Sequence, residues 1–208
     1  MTSDADAVLD PATMRSIAAR CGCSIVRVQR WESLVPGRPG LAYELSCKKH
    51  LDKLRLLDLL AWNEAKRDAQ LQEFALVCAR EAGTNPLRQA QYLHRLVRDG
   101  VRFIREPRER FADAWWTLEL GQGDCDDKAR LVVALGRALR LPARFVPLML
   151  KADVFGPNVP GHVCAQFGFP VHAPRVWVWA ETTLKAHWGE EPRAARRRLG
   201  AEHRTDIG

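Results

Sequence analysis

The sequence predicts an α+β domain built from N-terminal helices, a central buried helix carrying a cysteine, and a small antiparallel sheet. Three observations carry this. Leucine and alanine recur at three- and four-residue steps through the first half, β-branched and aromatic runs broken by proline and glycine fill the second, and a nearly continuous apolar helix joins them. At 208 residues and 47% apolar content the chain suits one moderate domain with a packed core.

Residues 13–20 pattern as a helix that Cys21-Gly22-Cys23-Ser24 ends in a turn. Two readings compete beyond it. In the favoured one, Ile25, Val26 and Val28 form a strand that turns over residues 35–40 and returns through residues 41–45, because paired prolines and glycines are a strong turn signal. In the other, Ser24 caps a second short helix with Val28 and Trp31 facing inward, which is helix-turn-helix spacing.

Residues 51–80 predict one long or broken helix, stopped by Gly83-Thr84-Asn85-Pro86. A second helix runs from Pro86 to about Arg98 with Leu87, Ala90, Leu93, Leu96 and Val97 on one face. A short extended piece follows over 101–104, then a loop to Phe111. Residues 129–139 form the central apolar helix, and strands are expected over 143–150, 162–169 and 175–182, with a loop over 153–161 and a turn from Pro170 to Pro174.

The net charge of +7 is concentrated in two places. Arg193, Arg196, Arg197 and Arg198 crowd one, and Arg102, Arg105, Arg108 and Arg110 the other. With no aromatic side chains interleaved, a solvated basic face is favoured over a nucleic-acid site. No run reaches the roughly 18 uninterrupted apolar residues of a membrane span. Six scattered cysteines and a start without an apolar targeting run are read as reduced thiols of a cytoplasmic protein. Cys21, Cys23, Cys47 and His50 supply zinc-type ligands, but the first pair lacks the usual two-residue gap, so no metal is expected.

The chemistry centres on Cys125. It starts the buried helix, where unpaired backbone N–H groups and the helix dipole favour thiolate. Asp124 can cap that helix, Gly123 permits close approach, and Asp126 and Asp127 occupy the first turn. Those acids oppose the thiolate, so a basic partner is required. His162 begins one predicted strand and Glu181 ends the next, nearly equidistant from the turn between them, so a simple hairpin places them across from one another to within a residue. Such a pair supplies the base and orienter of a nucleophilic site. His172, in the turn, and His187, past the last strand, are rival bases that this arrangement disfavours. The backbone N–H of Cys125 is the first oxyanion donor, with Gln122 and Trp116 as candidates for the second.

These residues also carry a resemblance. Gly123-Asp124-Cys125-Asp126-Asp127-Lys128-Ala129, then residues 138–144, then Gly161-His162-Val163, then Trp179-Ala180-Glu181-Thr182-Thr183, resemble the core of bacterial transglutaminase-like cysteine peptidases across roughly residues 86–185. The resemblance implies a papain-like fold, no cofactor, and a triad of Cys125 as nucleophile, His162 as general base and Glu181 as orienting acid. That family usually has aspartate at the third position, and Glu181 is one methylene longer. On this reading residues 1–45 are an N-terminal extension, 46–190 the catalytic core and 191–208 a basic tail. The expected activity is acyl transfer through a thioester, with hydrolysis of a peptide or isopeptide favoured over cross-linking, on a peptide or protein amide substrate. The alternative is a DNA-binding or non-catalytic protein that keeps the fold.

Overall fold

A computed structural model of the chain describes residues 10–32, 39–105, 110–150, 161–192 and 195–198. Asp10 caps α1 (Pro11–Arg20), its carboxylate accepting from the Ala12 and Thr13 amides. Then come β1 (Cys23–Glu32) and β2 (Pro39–Cys47), antiparallel with a bulge between Ile25 and Arg27. The hairpin reading therefore holds, and the helix-turn-helix alternative is displaced: β-branched Ile25, Val26 and Val28 lie in a ladder. Of its expected turn, residues 35–38 lie outside the described residues and residues 39–40 belong to β2.

The hairpin also corrects the expectation of six reduced thiols. Cys23 and Cys47 are direct partners across the strands, their Cα atoms 4.2 Å apart, and they form a disulfide. Cys21, Cys78, Cys125 and Cys164 are free. The premise for a reducing compartment fails for this pair, and the zinc reading loses two of its four ligands to a covalent bond.

The long helical stretch is two helices, α2 (His50–Arg67) and α3 (Ala69–Ala82). Asp68 separates them because its extended backbone leaves the helix while its carboxylate accepts from the Leu71 amide, capping α3. Asn85 caps α4 (Pro86–Gly100) in the same way, with Pro86 at its first position. The short strands β3 (Arg102–Phe103) and β4 (Arg110–Ala112) follow, and β4 joins the hairpin in the order β1-β2-β4. A short helix that sequence patterning missed, α5 (Ala114–Leu120), is capped by Asp113. It leads into β5 (Gln122–Gly123), parallel to β3.

Helix α6 (Cys125–Ala138) is the hub, buried along nearly its whole length. Two internal ion pairs tie it to α2. Arg130 bonds Glu64 at 2.5 and 3.0 Å while Glu64 also accepts from the Ala114 amide, and Arg137 bonds Asp58 at 2.5 Å. The second sheet, in the order β8-β7-β6-β9, consists of β6 (Ala143–Leu150), β7 (His162–Phe169), β8 (Val176–Ala180) and β9 (Ala195–Arg198), all antiparallel. Helix and sheet approach closely at Gly136, where an added Cβ would stand 2.3 Å from the Phe167 ring. The expected loop over 153–161 lies, but for Gly161, outside the described residues. No described helix is long and apolar enough to cross a membrane.

Candidate active site

Cys125 is the first residue of α6, and the local sequence dictates that placement. The Asp124 carboxylate accepts from the Asp126 and Asp127 amides at 2.9 and 3.1 Å, and Asp127 accepts in return from the Asp124 amide at 3.3 Å, a reciprocal cap. Gly123 is required immediately before it: a Cβ there would lie 2.7 Å from that of Asp127. The Lys128 side chain, one turn on, donates to the Arg98 and Val101 carbonyls at the C-terminal end of α4, so the motif lysine fastens two helices together.

The thiol does not sit in a thiolate-favouring field. Burial pushes it well above its ordinary value, and the Asp126 and Asp124 carboxylates push the same way. Opposing them are the Val163 amide and the Lys53 ammonium. The helix start alone is overruled, so Cys125 is a protonated thiol near neutrality and any attack requires a base.

The start of β7 approaches this thiol. The Val163 amide in β7 donates to the thiol sulfur, and His162 is the residue before it. His162 is buried, and its Nε2 bonds the Glu181 Oε2 at 2.7 Å. That commits Nε2 and leaves Nδ1 as the other ring nitrogen. The register differs from the simple hairpin by two residues: Ala165 pairs with Ala180, so Glu181 follows the strand end and extrapolates to a position opposite Cys164. Because side chains alternate with a period of two, a two-residue offset keeps both groups on one face, and the longer glutamate side chain reaches diagonally to His162.

Glu181 is held on every side. Its Oε1 accepts from the Thr183 and Leu184 amides at 2.5 and 2.9 Å. Burial alone would raise its carboxyl, but the bonds from His162, Leu184 and Thr183 win and hold it below the ordinary glutamate range. Its main-chain carbonyl accepts from His94 Nε2 at 2.6 Å. His94, fully buried in α4, rests against Trp188 with ring centroids 5.4 Å apart, and burial lowers its basicity, which leaves it neutral. His94 was missed from the sequence; its place one turn from Ala90 on the apolar face of α4 was the available signal, and nothing in the sequence revealed its partner.

The other expected residues are placed as follows. Trp116 is buried against Ala42 and Ala112. The Gln122 side-chain Oε1 accepts from the Arg102 guanidinium at 2.6 Å. His172 is exposed, and His187 lines a cleft of about 950 Å³ with Arg98, Arg102, Phe103, Lys128 and Thr183. Cys125 and His162 do not border that cleft.

The profile of the transglutaminase-like superfamily matches residues 77–188, more than half of the chain. No curated protein matches it. Among solved structures, it is similar to one called a "Putative Cysteine Protease from Cytophaga hutchinsonii", at 22% identity over 56% of this chain and 37% of that one, with a TM-score of 0.44. A "putative protease from Parabacteroides distasonis" matches at 12% identity over 70% of this chain and 35% of the other, with a TM-score of 0.42. A structure called a TGase matches at 14% identity over 96% of this chain and 54% of that one, with a TM-score of 0.41. The chain thus spans between about a third and about half of these solved chains.

Proposed function

Because this chain belongs to the transglutaminase-like superfamily, we propose that it is a cysteine-dependent acyl-transfer enzyme, with Cys125 as nucleophile, His162 as general base and Glu181 as the acid that orients it. The observation that carries this reading is the buried His162–Glu181 bond of 2.7 Å, one residue from the amide that meets the Cys125 thiol.

The raised thiol dictates the order of events. His162 Nδ1 takes the proton as sulfur bonds to the substrate carbonyl carbon, and the resulting imidazolium is stabilised by Glu181, whose carboxylate stays ionised. The Cys125 amide is the first donor to the developing oxyanion. Collapse passes the proton from His162 to the departing amine and leaves a thioester. Water, activated by the same histidine, then releases the acid and restores the thiol. The substrate we favour is a peptide or isopeptide amide, with hydrolysis preferred over transfer to an amine. No cofactor enters this scheme.

Alkylation by iodoacetamide, resolved by peptide mass spectrometry, tests the nucleophile. Cys125 is expected to react faster than Cys78 and Cys164, and to lose at least about tenfold in His162→Ala, since a positioned base contributes roughly 10²–10⁴-fold. Equal rates at the three cysteines, or indifference to His162, would overturn the reading. Hydrolysis of labelled casein against incorporation of a dansylated amine into casein separates the two acyl acceptors.

A further inference from the structure

A carboxylate touching a nucleophilic thiol is an unfavourable neighbour, and this one is buried. Asp126 is 2% exposed, and its Oδ1 accepts from the Cys125 thiol at 3.7 Å. Its Oδ2 forms an ion pair with Lys53, which approaches from α2 and stands 5.8 Å from the centroid of the Phe111 ring. Lys53 lies 72 positions upstream of Cys125 and outside the residues that the superfamily profile matches.

Resting on the assignment of Cys125 as nucleophile, we propose that Lys53 and Asp126 are positioning residues that hold and tune its thiol: Asp126 fixes the S–H, and Lys53 cancels the carboxylate charge that would otherwise oppose ionisation. In the resting state the S–H points at Asp126. When His162 removes the proton, that hydrogen bond becomes a contact between two anions, and the ammonium on the far oxygen limits the repulsion. The other groups that act on the thiol are Asp124 from its own helix start and the Val163 amide from β7, beside the His162–Glu181 pair. Lys53 is the cationic side chain in this set and comes from a separate helix, so α2 contributes directly to the electrostatics of a thiol on α6.

The test is the pH midpoint of Cys125 alkylation by iodoacetamide in the full chain. Lys53→Met is expected to raise the midpoint by roughly one pH unit or more, Lys53→Arg to leave it near wild type, and Asp126→Asn to lower it. In an Asp126→Asn background, Lys53→Met is expected to move the midpoint by less than half as much, because the carboxylate it served is gone. An unchanged midpoint in Lys53→Met, or an undiminished shift in the double variant, would sink the coupling. If Lys53→Met does not fold, the Asp126→Asn midpoint decides alone: a value at or above wild type overturns the proposal. The midpoint is readable even if Cys125 proves no more reactive than Cys78, so failure of the nucleophile assignment and failure of the coupling are separate results.

Discussion

Glu181 shows how one methylene can be absorbed by its surroundings. Its carboxylate bridges His162 and two backbone amides, while its carbonyl is held by His94, so the backbone is not free to advance toward His162. Shortening the side chain in Glu181→Asp by about 1.5 Å must break either the histidine contact or the amide contacts. A fall in kcat of up to about 10²-fold with little change in KM is expected, the scale of an ångström of misplacement. Steady-state kinetics on a peptide amide check this, and a variant within twofold of wild type would show that the extra methylene has no role. The His162 and Glu181 pairing was readable from turn symmetry because side-chain alternation tolerates an even-numbered error. The odd alternative would have separated the two faces.

Among the elements, legibility followed the range of the interactions responsible. The cap at Asp124 acts over two or three residues and was readable in the sequence, whereas those at Asp10 and Asn85, of the same short range, were not singled out. Helix α5 escaped because seven residues, two of them tryptophan, show too few turns for a period to emerge. The break at Asp68 was foreseen only as a possibility, since a single capping aspartate inside a helical pattern looks like a solvent-facing residue. Least readable were the bonds that fix α6 to α2, because Arg130 and Glu64 are 66 positions apart. That pair is 1% and 0% exposed, and truncating one member strands the other's charge without water. Arg130→Met should therefore destabilise by about 3–5 kcal/mol, whereas Arg130→Met with Glu64→Leu should recover much of that loss; chemical denaturation of the single and double variants measures both.

At the level of the whole molecule, α1 and the N-terminal hairpin pack into the main core. Met14, Ile17, Leu41, Tyr43 and Leu45 share one core with α2 and α6, and β2 pairs with β4 just ahead of the segment leading to Cys125. The disulfide closes a loop 24 residues in separation within that hairpin. Its loss in Cys23→Ser with Cys47→Ser should cost about 2–4 kcal/mol, visible as a lower denaturation midpoint that reducing agent does not lower further. An identical wild-type midpoint with and without reductant would remove the bond from the account of stability.

The same helix that carries the half-buried Cys125 at its N-terminal end is packed into the interior from Asp126 to Gly136. Under the proposed function, selection acting on α6 therefore cannot treat heat tolerance and turnover as separate traits. A substitution that refills space around Leu131 or Leu135, or that adds bulk at Gly136 against Phe167, shifts the axis on which the sulfur is mounted. The freedom to diversify lies instead in the surfaces flanking the helix start, where, for the proposed acyl transfer, a new loop can change the substrate without disturbing the mount.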